Sequence, residues 1–280
     1  MTERVNHIAD SLDLQVVEQL AGGYFGAFHI HTTAGACAVL KVLPAWPELA
    51  LDKVQCAVGL VALLRERGYP APRYLDVGVV DADVYTVQEY LSGSVPDRLT
   101  PTTASELVRL WRTHEGAAPP VADNQWGRAL IARVQRGEEL RSATNDPQVL
   151  AVLDRALEVA AAADPEVFRV GDIVHGDFHL GNLLVRDGGI AAVFDWEGAR
   201  AGDSRADLLR MYAVAATWER ADSEVVALLR KELDDTTPPD VRLPIGAEIA
   251  VEHLRYGLFA RPSELGWVLR EARILLSEAE

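Results

Sequence analysis

Apolar residues recur along this chain in two rhythms, and the change from one to the other organises it. Residues 6–12 form a short amphipathic stretch that predicts a helix. Runs at 14–20, 27–32 and 36–43 then alternate in steps of two and predict three strands. Gly22, Gly23 and Gly26 mark the first turn and Thr33-Ala34-Gly35 the second, while Pro44 and Pro47 break the third strand. From 48 to 67 the spacing lengthens: Leu51, Val54, Val58, Val61, Ala62 and Leu64 predict a helix, closed by Gly68 and Pro70. Two more strands follow at 74–79 and 84–90, turning at 80–83. After residue 102 the three-to-four spacing takes over, with helices at 103–114, 126–140 and 146–163, the last entered through Asp146-Pro147. Further helices are predicted at 207–217, 223–232, 245–261 and 265–278. One interruption matters: strands at 183–185 and 190–194 flank Arg186-Asp187-Gly188-Gly189, and an Asp-Gly pair between alternating apolar runs is a strong hairpin signal. The pattern reads as α+β, with a small antiparallel sheet first and helices after it.

Composition narrows the class. The 280 residues are 49% hydrophobic and 25% charged, with a net charge of −15. That is a globular composition long enough for one large domain or two lobes. The acidity disfavours nucleic acid and anionic membrane as partners; it either draws cationic ligands or serves solubility alone. Cys37 and Cys56 stand far apart without a C-x-x-C, against a disulfide framework or zinc ribbon. No apolar signal segment follows Met1, and the longest uncharged run, 20–40, is broken by glycines, His29 and His31, against a membrane span. The expected location is cytoplasmic.

The chemistry concentrates between Val174 and Glu197. Asp177 follows His175-Gly176, Asn182 comes five positions later, and the hairpin returns the chain to Asp195. Two acids and an amide at loop ends suit magnesium-dependent phosphoryl transfer. One Asp takes the proton of the attacking hydroxyl, and the Asn and second Asp hold Mg²⁺ against the phosphates.

The motif H-G-D-x-x-x-x-N followed by D-W resembles that of the aminoglycoside phosphotransferase and choline kinase-like family, which shares the bilobal protein-kinase-like fold. The resemblance implies a nucleotide-binding lobe over 1–92 and a catalytic, substrate-binding lobe over 93–280. It implies ATP or GTP with Mg²⁺ as cofactors and transfer of the γ-phosphate to a small-molecule hydroxyl. Asp177 is then the catalytic base, and Asn182 and Asp195 are the metal ligands. Lys41 holds the α- and β-phosphates, Gly23, Phe25 and Gly26 cover the triphosphate, and Gln88, Tyr90 and Leu91 are candidates for the hinge that meets the purine. His175 shapes the loop. Gly202-Asp203-Ser204-Arg205-Ala206-Asp207-Leu208 matches the family's G-D-P-x-x-D-L with Ser204 in the Pro position, which gives Asp207 a structural role. In relatives a helix Glu pairs with the strand Lys; here Gln55, Ala57 and Gly59 occupy mid-helix, leaving Glu48 or Asp52 as candidates.

The expected substrate is a hydroxyl-bearing antibiotic: an aminoglycoside, cyclic peptide, macrolide or nucleoside. A metabolic kinase for choline, a sugar or an amino alcohol is the alternative. His179, Glu197, Trp218 and Glu252 are candidate substrate residues, and the chain is expected as a monomer or homodimer. A metal-dependent hydrolase built on His175-x-Asp177-x-His179 is a rival reading. A kinase-like binding module without activity is another, set against the presence together of Lys41, Asp177, Asn182 and Asp195.

Overall fold

Lys41 sits where it does because five short strands pair into one sheet, Gln15–Leu20, Ala27–His31, Cys37–Val42, Asp83–Glu89 and Tyr74–Val80 in that order, every neighbour antiparallel. The computed structural model describes residues 2–20, 26–43, 45–46, 49–119, 124–217 and 221–277. Their chain forms two compact units, Met1–Pro96 with Gly181–Arg200, and Asp97–Leu180 with Ala201–Glu280.

In the first unit the strands are β1 (Gln15–Leu20), β2 (Ala27–His31), β3 (Cys37–Val42), β4 (Tyr74–Val80) and β5 (Asp83–Glu89). Alternation sends Phe28, Ile30, Ala38, Leu40, Tyr85 and Val87 to one face, where they pack with Val5, Ile8 and Ala9 of α1 (Thr2–Ser11). The opposite face therefore carries Lys41, Thr86 and Gln88, with Lys41 paired to Thr86 across β3 and β5. The helix expected from residue 48 is α2 (Leu51–Glu66), which buries Val54, Ala57, Leu60, Val61 and Leu64. Glu48 lies outside the described residues.

The later hairpin, β7 (Leu183–Arg186) and β8 (Gly189–Val193), belongs to this unit. Its turn is the one the Asp-Gly pair predicts, with Asp187 and Gly188 both left-handed (φ 53° and 83°). Ser94 and Val185 exchange two backbone hydrogen bonds (3.0 and 2.8 Å), and Val193 N–H donates to Pro70 (2.7 Å).

The second unit is helical: α3 (Pro101–Arg112), α4 (Gln125–Arg136), α5 (Pro147–Ala162), α6 (Arg205–Thr217), α7 (Ser223–Thr236), α8 (Pro239–Arg255) and α9 (Leu265–Leu276). Strand β6 (Asp172–Val174) pairs with β9 (Arg200–Gly202). Two expectations shift here. The helix expected to 140 ends at Arg136 and tightens into a 3₁₀ segment, Gly137–Ala143. A Cβ at Gly137 would lie 2.7 Å from Val251 Cγ1, so the close approach to α8 needs glycine. The helix expected from 245 begins at Pro239 and tolerates Pro244, because the carbonyl that loses its donor belongs to exposed Asp240. No helix among the described residues is long and apolar enough to cross a membrane.

Candidate active site

In the first unit, a lysine on a sheet face is held by the segment that leaves β8. Lys41 Nζ donates to Asp195 Oδ1 (2.7 Å) and Glu197 Oε2 (3.1 Å). Glu197 is buried, and its other oxygen accepts from Thr86 Oγ1 (3.2 Å) and from Gln88 Nε2. Burial lowers the Lys41 pKa, but the charges of Asp195 and Glu197 outweigh it and hold the ammonium above its ordinary value. Burial pushes the Glu197 carboxyl up; Lys41 opposes this and Asp195 adds to it. The acidic partner of Lys41 thus lies on the strand-end segment. Asp52, the helix candidate, lies beside Lys53 instead (3.8 Å). Glu197, expected at the substrate, is committed to Lys41. The Gln88 side chain, expected at the hinge, is buried and committed to Glu197.

Asp195 has left-handed backbone (φ 71°), uncommon for a residue with a Cβ, and its side chain is 43% exposed. Its neighbours hold it there. Trp196 is fully buried, donates its indole N–H to Val193 (2.8 Å) and meets Tyr69 edge-on at 5.5 Å. Phe194 N–H donates to the Asn182 carbonyl (2.9 Å), which brings Asn182 and Asp195 to the same end of the β7–β8 hairpin. Side-chain amide and carboxylate oxygens are the hard donors Mg²⁺ requires, so this pair fits that ion. Gly26 is left-handed (φ 75°). Gly23, Phe25 and Trp218 lie outside the described residues. Tyr90 and Leu91 follow β5, the Tyr90 ring resting against His29 at 4.6 Å.

In the second unit, β6 feeds His175-Gly176-Asp177, and buried Asp207 of α6 braces that loop. One Asp207 oxygen accepts the N–H of His175 (2.8 Å), the other that of Gly176 (2.9 Å), and His114 lies 3.4 Å away. Burial would raise the Asp207 carboxyl; His114, His175 and the Gly176 N–H together keep it below the usual range. Gly176 is left-handed (φ 89°). His175 is buried, and its Nδ1 accepts the N–H of Asp177 (3.2 Å). Because Nδ1 accepts, the neutral ring carries its proton on Nε2 and offers no free lone pair to a metal, which weakens the hydrolase reading of His175, Asp177 and His179 as three metal ligands. Ser204 uses what a proline lacks: its N–H (3.2 Å) and hydroxyl (2.8 Å) both donate to Asp172.

The Asp177 side chain is 52% exposed, with His179 Nε2 at 3.3 Å. Partial desolvation raises its pKa, but His179, then Arg210 and His175, overcome this and hold the carboxyl well below the usual range. Arg210 was not anticipated. It is buried on α6 and donates to Glu252 (2.6 Å), while its other terminal nitrogen meets His253 Nε2 (2.8 Å). The His253 Nδ1 side meets fully buried Glu271. Glu252, expected at the substrate, holds Arg210. Only the helical positions 252 and 253 hint at this cluster in the sequence, and nothing local ties them to residue 210.

A family model described as the phosphotransferase enzyme family matches residues 16–243. No curated protein matches the sequence significantly. Among solved structures, a thermostable mutant of aminoglycoside phosphotransferase APH(4)-Ia, in a ternary complex with AMP-PNP and hygromycin B, aligns at 17% identity and TM-score 0.74, over 99% of this chain and 98% of that one. Choline kinase LicA from Streptococcus pneumoniae aligns at 14% identity and TM-score 0.66, over 98% and 97%. Macrolide 2'-phosphotransferase MphH from Brachybacterium faecium aligns at 18% identity and TM-score 0.57, over 99% of both chains. At these identities the likeness is one of fold: the α+β, protein-kinase-like fold with a small antiparallel sheet and a mainly helical part.

Proposed function

We propose, from the premise that this chain belongs to the phosphotransferase enzyme family, that it moves the γ-phosphate of ATP onto a hydroxyl of an antibiotic in the cytoplasm. Transfer to an alcohol group of a small molecule is the family's reaction; the antibiotic and the nucleotide are our reading. The observation that carries it is the contrast between two carboxylates. Asp177 is ionised, half-exposed and held on a loop that Asp207 braces, so it can accept a hydroxyl proton. Asp195 is partly exposed and paired with a protonated Lys41, whose ammonium suits the α- and β-phosphates. Asn182 and Asp195 would hold Mg²⁺, which when bound neutralises charge on the β- and γ-oxygens. Glu197 keeps Lys41 in place, Tyr90 and Leu91 would meet the purine, and Gly23, Phe25 and Gly26 would cover the phosphates.

ATP is favoured because relatives of this fold carry ADP or AMP-PNP. An antibiotic is our first reading because the aminoglycoside phosphotransferase aligns at TM-score 0.74, above the 0.66 of the choline kinase. A metabolic amino alcohol is the second reading, supported by the choline kinase alignment. His179, beside Asp177, is the substrate-side residue retained from sequence.

A coupled assay of nucleoside diphosphate release tests this, with ATP and GTP run against aminoglycosides, macrolides, choline and amino sugars. Acceptor-dependent ADP release with an antibiotic supports the reading. Turnover with choline alone transfers the enzyme to metabolism, and GTP-only turnover refutes the nucleotide assignment.

A further inference from the structure

We propose that one face of the β2–β3 hairpin binds a single borderline transition-metal ion of the Zn²⁺ class through His29, His31 and Cys37. His29 and His31 stand two positions apart on β2, so both leave the same face, opposite the core residues Phe28 and Ile30. The register pairs His31 directly with Cys37 across the hairpin, which adds the thiol to that face. One ligand atom from each of the three lies within 4.8 Å of the others. Tetrahedral zinc with ordinary Zn–N and Zn–S bonds needs ligand atoms roughly 3.3–3.7 Å apart. Small rotations of the exposed Cys37 and half-buried His31 span the difference.

A second observation points to a ligand. His29 Nε2 is buried and has no hydrogen-bond partner. A buried polar atom in that state calls for an explanation. Its Nδ1 side faces Glu18 Oε1 at 3.8 Å, and Glu18 is the cross-strand neighbour of His29 on β1. A carboxylate on one ring nitrogen and a metal on the other is the recurrent arrangement of metal-bound histidine. The ring has little freedom to leave, being packed against His31 at 5.5 Å and Tyr90 at 4.6 Å. Two imidazoles and a thiolate select Zn²⁺ or its analogues over Mg²⁺, which requires oxygen, so this site is chemically separate from Asn182 and Asp195. A water completes the fourth position.

Co²⁺ titrated into the full-length chain under excess Mg²⁺ is the probe, because thiolate ligation gives an intense near-ultraviolet charge-transfer band. The expected result is a band that saturates at one Co²⁺ per chain and is displaced by Zn²⁺. Cys37→Ser should abolish it with an unchanged circular dichroism spectrum, Cys56→Ser should leave it intact, and Glu18→Gln should weaken Zn²⁺ about tenfold. Zn²⁺ should also protect Cys37 from alkylation, and His29→Ala should remove that protection. Absence of the band, its survival in Cys37→Ser, or its loss in Cys56→Ser would overturn the assignment. None of these readouts involves turnover, so they stand apart from the test of the phosphotransferase reading.

Discussion

At the residue scale, two carboxylates and one ammonium make separable demands. Asp177→Ala should lower turnover about 10²-fold or more, the usual size of a general-base contribution. Nucleotide affinity measured by calorimetry should stay the same, because Lys41 and its partners belong to a different set of contacts. Lys41→Met has the opposite profile. It leaves Asp195 and buried Glu197 facing each other without a cation, and should cost about 3 kcal/mol in urea unfolding. Lys41→Arg should recover most of that stability. Asp207→Asn tests the loop brace through pH. A carboxyl held below its ordinary value stabilises fully above the unfolded value of about 4 and loses that contribution as pH falls through the lower folded value. The variant should therefore lose about 1–3 kcal/mol at pH 7, and its deficit should shrink below about pH 4. Proximity in sequence decided which of these residues were legible. Asp177, Asn182 and Asp195 could be singled out as candidates because their spacing is local. Glu197 as the partner of Lys41 could not, since 156 positions separate them and no periodicity links them. The convergence of Arg210, His253 and Glu271 was hidden for the same reason.

At the element scale, legibility followed the strength of local signals. The β7–β8 hairpin was readable from Asp187-Gly188, whose left-handed backbone such a turn demands. Helix α5 was readable from its cap, since Asp146 accepts the N–H of Gln148 (2.8 Å) and Pro147 opens the first turn. The start of α8 was not readable, because a proline inside a helix looks like a stop until the exposure of its lost partner is known. Packing between helices was equally hidden. A Cβ at Gly246 would stand 2.3 Å from the Leu275 carbonyl, which is backbone and cannot swing away. Gly246→Ala should therefore push α8 from α9 and destabilise the chain by about 1–3 kcal/mol, read as a lower Tm by calorimetry. Gly188→Ala, by contrast, meets nothing within 4 Å, and any loss there reports left-handed backbone alone.

At the scale of the whole molecule, alternation followed by helical spacing was enough to read a small sheet followed by helices, because those periods are set residue by residue. The path of the chain through its units was not so encoded. The first unit is completed by Gly181–Arg200, which brings Trp196 against Tyr69 and pairs Val185 with Ser94. A fragment of residues 1–96 should therefore show no cooperative thermal transition by circular dichroism. The same fragment joined through a flexible linker to residues 181–200 should regain one. A cooperative melt from the short fragment alone would mean that the returning segment is dispensable. That return also sets a birth order. A ribosome delivers Ser94 well before Val185 and Trp196, and at about 5–20 residues per second the gap lasts about 5–20 s. During that interval the nascent sheet has an unfilled flank, so slowing translation within 97–180 should lengthen its exposure to chaperones and proteases.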